Sequence, residues 1–341
     1  MVNIRDYIEK RAQDIGIDII GFTDGKPLSR IKPYLEFRIE NRLITEFEEA
    51  NISKRIDPKT TLPNCKSIIV IGISYNVDFK IKRGEKPVGI LSKSSWGLDY
   101  HKLLKEKMEK LIEEIKKKVD FKYKAYVDTG PLIDRELAHK AGIGYYGKNC
   151  SIINKEYGSF IFLGYILTDL GIKTYSIRLE SECGSCDLCI RACPTGALEG
   201  SYRLNPKKCI SYLTQTREVI EEGLRGKMAN KIYGCDTCQQ VCPKNKGVKL
   251  SRHKEFMPNV TKGVVDLGEL FSMSNREFRQ KYGHMAGSWR GRNLLRRNGI
   301  INLVNMKEDL SLIEELDQEN PLYKNYIDWA RKKTSKANWN K

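Results

Sequence analysis

The chain has 341 residues, 40% of them hydrophobic and 30% charged, and a formal net charge of +17. This composition is typical of a folded protein with a buried core, and there is no run of about 18 uncharged apolar residues that would predict a membrane span. The opening segment, from Met1 to Asp24, mixes Asp, Glu and Arg with apolar residues, so we expect neither a signal peptide nor a twin-arginine leader, and a cytoplasmic location.

The positive charge is concentrated towards the C-terminus. Residues 201–341 carry 27 Lys and Arg against 15 Asp and Glu, whereas residues 1–200 carry 33 against 28. This distribution favours a nucleic-acid partner, although a solvated lysine-rich surface would give the same composition.

The first part of the chain alternates predicted helices and strands. Apolar spacing predicts amphipathic helices over residues 2–15 and 99–119. The continuous apolar run 65–75 predicts a buried strand, and residues 121–128 predict a strand that ends at Asp128. The buried stripe of the second helix is predicted to consist of Leu104, Met108, Leu111, Ile112 and Ile115. Residues 1–175 are therefore predicted to form an N-terminal α/β domain of an α+β protein.

Residues 142–147, GIGYYG, match the G-x-G-x-x-G pattern of dinucleotide-binding sites. That function requires a strand before the glycines and a helix after them. Here a helix is predicted over 133–141, and residues 150–170 are predicted to form a hairpin joined across residues 155–159. The context excludes NAD or FAD binding. We expect Gly142 to end the helix, and Gly144 and Gly147 to allow close backbone contacts.

The cysteines predict metal binding, because thiols in a chain without export signals are expected to be reduced. Eight of the ten lie between residues 183 and 242. The stretch CGSCDLCIRACP has the C-x2-C-x2-C-x3-C-P spacing of bacterial ferredoxins, in which the fourth thiolate serves the other of two iron–sulfur clusters.

A second run, CDTCQQVCP, is one cysteine short of this pattern, because Ile232 stands where the first would be. We therefore predict two [4Fe–4S] clusters with exchanged fourth ligands and recruit Cys209 to complete the second. The predicted ligands are Cys183, Cys186, Cys189 and Cys242 for cluster 1, and Cys193, Cys209, Cys235 and Cys238 for cluster 2. Two structural zinc sites are the alternative. Cys65 and Cys150 are predicted to be ordinary buried thiols.

Residues 176–250 are thus predicted to form a ferredoxin-like domain, and residues 251–341 a basic helical region. Helices are predicted over 274–283, 290–305, 309–317 and 321–333, and residues 288–330 are long enough for a single HEAT-like repeat unit.

Taken together, the segments VDTGPLIDRELAHKAGIGYYGKN, CGSCDLCIRACPTGAL, NPKKCISYLT, CDTCQQVCPKN and SWRGRNLLRRNGIINL resemble the epoxyqueuosine reductase family over nearly the whole chain. The resemblance implies an oxidoreductase that performs the final step of queuosine biosynthesis, reducing an epoxide on the modified base at the tRNA wobble position. It also implies cobalamin, bound by the N-terminal domain beside two [4Fe–4S] clusters, as in the similar reductive dehalogenases.

By this resemblance, Asp134 is the proton donor, with Asp128 as the rival carboxylate, and Arg55 contacts the corrin. We also expect Asp134, Lys148, Asn149 and Ser159 to contact the cofactor. Cobalamin is expected to bind base-off, since no histidine lies in the D-x-H-x-x-G signature that supplies a cobalt ligand. The histidines are His101, His139, His253 and His284.

The expected partners are a tRNA bearing epoxyqueuosine and an external electron donor such as a ferredoxin or flavodoxin; we expect a monomer. The candidate tRNA contacts are Lys207, Lys208, Arg217, Arg290, Arg292, Arg296 and Arg297. One alternative function is a corrinoid iron–sulfur reductase of the reductive dehalogenase type, acting on a small molecule. The other is an electron carrier, which would not need a large folded domain ahead of its clusters.

Overall fold

A computed structural model of the chain describes residues 3–82, 84–174 and 178–336. The predicted boundary between residues 175 and 176 lies outside these ranges. The α-helices are α1 (Ile4–Ile15), α2 (Lys32–Glu40), α3 (Ile52–Ile56), α4 (Tyr100–Lys116), α5 (Asp134–Lys140), α6 (Leu188–Arg191), α7 (Ile210–Leu213), α8 (Glu222–Arg225), α9 (Thr237–Gln240), α10 (Leu267–Ser272), α11 (Asn275–Tyr282), α12 (Arg292–Met306) and α13 (Lys324–Lys336). The strands are β1 (Ile19–Asp24), β2 (Ser67–Ser74), β3 (Val88–Leu91), β4 (Tyr123–Val127), β5 (Tyr145–Tyr146), β6 (Ile152–Ile153), β7 (Ile161–Thr168), β8 (Leu198–Gly200), β9 (Arg203–Leu204), β10 (Lys231–Tyr233) and β11 (Val264–Asp266).

A four-stranded sheet in the order β1-β2-β7-β4 forms the centre of the N-terminal part. Every residue of β2 is buried, which confirms the strand predicted from the continuous apolar run. All pairs in this sheet are antiparallel, with Ile71 of β2 opposite Ile20 of β1 and Gly164 of β7. The N-terminal part is therefore α+β in connectivity, and the expectation of an α/β domain is corrected, because alternating helices and strands need not pair in parallel.

Helix α4 covers one face of this sheet. All five residues of its predicted apolar stripe are buried, and they belong to a core that also includes Ile8 and Ala12 of α1. The helix begins at Tyr100 with the Asp99 side chain as its N-cap. Its first turn lies where β4 ends, because the Tyr100 hydroxyl donates to the Asp128 side chain directly after that strand.

The glycine motif follows α5, as expected, and it contains both residues of β5. Gly142 has a φ of 74°, in the left-handed region directly after the helix, and a Cβ on Gly144 would lie 2.5 Å from the Ile153 carbonyl oxygen. The predicted hairpin over 150–170 is wrong in its pairing. β6 pairs with β5, and β7 pairs with β2 and β4, so only an isolated bridge between Asn154 and Gly158 joins the two sides of the turn.

A second sheet, β10-β3-β11, draws strands from all three predicted domains. In the C-terminal part, α11, α12 and α13 confirm three predicted helices, whereas residues 309–317 contain only a 3-10 turn over Leu310–Ile313. Among the described residues, no helix combines the length and the apolar character that crossing a membrane would require.

The α4 stripe gives a stability prediction. Leu111→Ala removes a fully buried side chain and should lower the free energy of unfolding by about 2–5 kcal/mol. The matched control, Glu113→Ala on the exposed face of the same helix, should change it by no more than about 0.5 kcal/mol. Urea denaturation of both variants measures the difference; equal midpoints would contradict the assignment of the buried face.

Candidate active site and cluster centres

Four cysteines surround a small cavity of about 40 Å³. They are Cys183, Cys186, Cys189 and Cys242, the set predicted for cluster 1. Cys183 and Cys242 pack against Tyr145 and Ile153, the paired residues of β5 and β6. Within the described residues, no group of His, Cys, Asp or Glu is arranged to hold a single metal ion. The thiols instead line a space between them.

The other four cysteines also influence one another. Burial, followed by the nearby Cys235 and Cys193 thiols, raises the pKa of Cys209 to about 11. Burial and then Cys209, Cys235 and Cys189 raise the pKa of Cys238. The structure thus brings Cys209 to the set predicted for cluster 2, and it places Cys238 near Cys189 of the first set.

Two threonines that the sequence reasoning missed accompany the second set. Cys235 Sγ lies 3.3 Å from Thr237 Oγ1, and Cys193 Sγ lies 3.7 Å from Thr195 Oγ1. A hydroxyl placed beside a thiolate can donate a hydrogen bond to the sulfur and stabilise its negative charge. The repeated Cys-x-Thr spacing was visible in the sequence and was the available signal.

Asp134 lies at the start of α5, at the end of a loop that follows β4. The loop is fixed from below by the buried Tyr165, whose hydroxyl accepts a hydrogen bond from the Leu132 N–H at 3.2 Å. A Cβ on Gly130 would lie 2.0 Å from the same hydroxyl, so only glycine fits there. The N-cap of α5 is Ile133, whose side chain makes no capping hydrogen bond, and Asp134 is the first residue of the helix.

One oxygen of the Asp134 carboxyl is enclosed without a partner in the described part of the chain. Its Oδ1 atom is buried and has no hydrogen-bond partner among the described residues. Burial, followed by the charge of Asp128, raises the pKa of Asp134 to about 8. Since desolvation disfavours the charged form, this carboxyl is protonated at neutral pH and can donate a proton.

Asp128 has the opposite character. It has a φ of 58° at the end of β4, and its Oδ2 accepts a hydrogen bond from the Tyr100 hydroxyl at 3.0 Å. His101 lies 3.8 Å from the same oxygen and 2.7 Å from Asp99 Oδ1. The nearby His101 imidazole, followed by the Tyr100 hydroxyl, lowers the pKa of Asp128. Although burial opposes it, pairing with Asp128 and Asp99 raises the pKa of His101 to about 9.

Sequence reasoning had assigned no role to Tyr100 or His101. The signal available was a consecutive polar run, from Asp99 to His101, at the start of an otherwise apolar-striped helix. Their rings continue a stack, since His101, Tyr100 and Phe162 follow one another with centroids 4.1 Å apart. This stacking holds the imidazole in place beside Asp128.

The residues predicted to contact the cofactor occupy different environments. Asn149 is buried and its Nδ2 has no partner among the described residues, whereas Lys148 Nζ donates to the Gly184 carbonyl at 2.6 Å. Ser159 is buried, and its hydroxyl contacts Gln239 and Asn245 within 3.3 Å. Arg55 donates to Glu48 at 2.9 Å. Cys65 is buried as predicted, and Cys150 is partly exposed.

Two of the predicted tRNA contacts are wrong. Arg297 is 0% exposed and donates to the Leu213 carbonyl at 2.8 Å and to the Tyr326 hydroxyl. Arg296 is 7% exposed and donates to the carbonyls of Leu270, Phe271 and Met273. Their guanidinium groups satisfy carbonyl groups inside the fold and cannot reach a phosphate.

The other basic candidates stay available in different degrees. Lys207, Lys208 and Arg217 are exposed, and Lys208 pairs with Glu199 at 3.0 Å. Arg290 and Arg292 are partly exposed. Arg292 Nη1 donates to the Met273 carbonyl at 2.6 Å.

Two four-cysteine groups, together with an enclosed and protonated carboxyl, define an iron–sulfur oxidoreductase. Residues 182–245 match the family model of the 4Fe-4S double cluster binding domain, and residues 55–129 match the model "Epoxyqueuosine reductase QueG, DUF1730". The epoxyqueuosine reductase of Bacillus cereus is 43% identical over 329 residues, covering 94% of this chain and 86% of the relative. The chain belongs to the epoxyqueuosine reductase family.

Solved structures agree with this membership. An epoxyqueuosine reductase with a tRNA-Tyr epoxyqueuosine-modified stem loop has 40% sequence identity and a TM-score of 0.92, covering 97% of this chain and 90% of that chain. The Bacillus subtilis enzyme, solved with its Asp134 catalytic loop swung out of the active site, has 38% identity and a TM-score of 0.91 with the same coverage.

The assignment of Cys209 gives a second prediction. Cys209→Ala should lower the iron content by about four atoms per chain, because one [4Fe–4S] cluster loses a ligand. Iron and sulfide analysis of anaerobically purified protein measures the loss. Cys65→Ala, which removes a buried thiol from a different core cluster, is the control and should keep all iron. Unchanged iron in Cys209→Ala would contradict the exchanged ligand sets.

Proposed function

We propose that this chain reduces the epoxide of epoxyqueuosine at the tRNA wobble position to give queuosine, with cobalamin as cofactor and electrons relayed through the two [4Fe–4S] clusters. Family membership supports the reaction, and the solved relative with an epoxyqueuosine-modified stem loop supports the substrate. The same relatives favour tRNA over a small organohalide. The observation that carries the mechanism is the enclosed, protonated carboxyl of Asp134.

The reaction converts an epoxide to an alkene and water, so it consumes two electrons and two protons. The oxygen leaves as a poor leaving group unless it is protonated. Asp134 is suited to deliver a proton to this oxygen, because its carboxyl is neutral at pH 7 and its Oδ1 has no competing hydrogen-bond partner among the described residues. The Bacillus subtilis relative likewise has an Asp134 catalytic loop.

Asp128 does not share the acid role. Its pKa is lowered by the nearby His101 imidazole and by the Tyr100 hydroxyl, so it carries no proton at neutral pH. The pair Asp128 and His101 instead presents an accepting carboxylate beside a cationic donor. Hydroxyl groups of the substrate can be oriented by such a pair before Asp134 acts.

The chain's unpartnered polar atoms fit a bound cofactor. Asn149 Nδ2 and Asp134 Oδ1 are both buried without partners among the described residues, which is unfavourable unless a ligand supplies them. Asn149 and Lys148 would hold the cofactor next to the first cysteine group, because both line the same cavity as those thiols. Cobalamin, when bound, supplies a low-valent metal able to transfer electrons to the epoxide. Ser159 and Arg55 remain proposed cofactor contacts.

The cysteine groups suit an electron relay. Cys189 of the first group raises the pKa of Cys238 of the second, so two clusters held by these thiols would lie side by side. We propose that an external ferredoxin or flavodoxin supplies the electrons, and that the chain works in the cytoplasm as a monomer. Lys207, Lys208, Arg217, Arg290 and Arg292 remain the proposed tRNA contacts.

Asp134→Asn tests the proton donor. The amide keeps the size of the side chain but cannot release a proton at neutral pH, so turnover should fall by about 10²- to 10⁴-fold. Both clusters and cobalamin should be retained, which visible spectra measure, while nucleoside analysis of the tRNA measures turnover. Asp120→Asn, at an exposed position after α4, is the control and should turn over normally. A near-normal rate in Asp134→Asn would remove the proposed role.

The same carboxyl predicts the pH dependence. Asp134 holds its proton below a pKa of about 8 and loses it above, so the single-turnover rate should be level on the acid side of 8 and fall on the alkaline side. His101 stays cationic until about pH 9. Rapid-quench measurements on prereduced enzyme give this profile. A rate that rises through pH 8 would show that the ionised carboxylate is the active form.

A further inference from the structure

An exposed cluster of aromatic rings lies beside the candidate active site. Trp289 is 58% exposed and Phe47 is 41% exposed, although they belong to segments far apart in sequence. Their rings meet edge to face, with centroids 5.9 Å apart. Phe47 also meets Tyr212 edge to face at 5.8 Å. Large rings left in water after packing together indicate a contact surface.

A guanidinium group orders these rings. The Arg290 guanidinium carbon lies 4.6 Å from the Trp289 ring centre and 5.2 Å from that of Phe47. Its Nε donates to the Gln215 carbonyl at 2.6 Å, so the side chain is fixed. We call Phe47, Trp289 and Arg290 the aromatic platform.

The platform is connected to the site by one hydrogen bond. The Trp289 indole N–H donates to the Tyr233 hydroxyl at 3.2 Å, and Tyr233 in turn donates to the Gln215 side chain at 3.0 Å. The segment that leads to Trp289 is also bonded to the start of α4, because the Asp99 N–H donates to the His284 carbonyl at 2.7 Å. The platform is therefore adjacent to the network that contains Asp128.

The charges around the platform are mixed. Arg217 is exposed and close enough to Arg290 to lower the pKa of that guanidinium, after burial. The Tyr212 hydroxyl donates to Glu46 at 2.8 Å, and a carboxylate oxygen of Glu218 lies 3.3 Å from it. A ligand here should offer a flat ring and groups that donate to carboxylates, with phosphates on the Arg217 side. An unpaired nucleotide has these properties.

We propose that the aromatic platform stacks an unpaired anticodon-loop nucleobase next to the epoxyqueuosine, and so positions the modified base over the site. This inference rests on the proposed function. Stacking on an aromatic face is tolerant of base identity, because every base presents a π face. The platform would therefore let one enzyme accept tRNAs that differ at the neighbouring position.

A double-mutant cycle tests the stacking. The full holoenzyme, kept unreduced, is mixed with a stem loop that contains epoxyqueuosine. The RNA changes of the cycle are abasic sites, placed one at a time at the nucleotide on the 5′ or the 3′ side of epoxyqueuosine. Trp289→Ala should raise the Kd by about 5- to 100-fold, and one of the two abasic sites should raise the Kd of the wild-type protein by a similar factor. The protein and RNA changes together should raise the Kd no more than either change alone, because both remove the same contact. Fluorescence anisotropy measures each Kd.

Two further variants separate stacking from other effects. Trp289→Phe keeps a ring but loses the indole N–H, so it should retain most of the affinity; a loss equal to that of Trp289→Ala would assign the effect to the Tyr233 hydrogen bond and overturn the proposal. Tyr123→Ala, an exposed ring at the opposite end of β4 from Asp128, should bind like the wild type. Cluster absorbance shows that each variant is folded.

The remaining outcomes are also decisive. Additive losses in the cycle, or no effect of Trp289→Ala, would overturn the stacking. If Trp289→Ala left RNA binding intact but slowed cluster reduction by flavodoxin, the platform would be a docking surface for the electron donor, which also overturns the proposal. Conversion of epoxyqueuosine by the wild type is scored separately. Its absence would refute the proposed function, whereas conversion without coupling would refute only the platform.

Discussion

The chemistry of this fold depends on keeping one carboxyl oxygen, Asp134 Oδ1, enclosed without a partner among the described residues. Burial of an unsatisfied polar oxygen costs free energy, and the surrounding structure must hold Asp134 in place against that cost. Tyr165 holds the loop before Asp134, because its hydroxyl accepts a hydrogen bond from the Leu132 N–H. The same hydroxyl leaves room only for glycine at position 130. The arrangement suits a proton donor, since the same desolvation that destabilises the carboxylate keeps the proton on the acid. A neighbouring side chain that donated a hydrogen bond to Asp134 Oδ1 would stabilise the fold and lower the pKa of Asp134.

The carboxylates Asp128 and Asp134 illustrate how environment separates two identical groups. Asp128 has a cationic imidazole and a phenol as neighbours, whereas Asp134 has no hydrogen-bond partner for Oδ1 among the described residues. The charge held on Asp128 adds to the burial of Asp134 in opposing a second negative charge. Ionising one group therefore helps to keep the other neutral. The short stretch of sequence between them leaves this difference undetermined.

Sequence patterns predicted the elements that depend on local periodicity. The stripe on α4 and the apolar run of β2 specify which residues are buried, and the cysteine pattern predicted the four thiols that line one cavity. Cys209, by contrast, was assigned only because it was the one cysteine of that region without a place in the pattern. The pairing partner of each strand was harder to predict, because an apolar run such as 161–168 has the same pattern whichever buried strand it pairs with. The antiparallel sheet and the true partners of β6 and β7 depend on contacts distant in sequence. The role of His101 likewise depends on Asp128, which follows α4 in the chain and is brought close by β4.

The sequence also could not distinguish exposed from buried basic residues, because an arginine that faces solvent and one that faces the interior look the same in it. Arg297 and its neighbour Asn298 point inward from α12 and donate to the carbonyls of Leu213, Thr214 and Ile232. These carbonyls lie a few residues from Cys209 and Cys235, so α12 fixes the two segments that bring ligands to the second cysteine group. Part of the positive charge of the C-terminal region is therefore structural. The predicted domain boundary at residue 250 therefore separates the second cysteine group from the α12 side chains that fix its position.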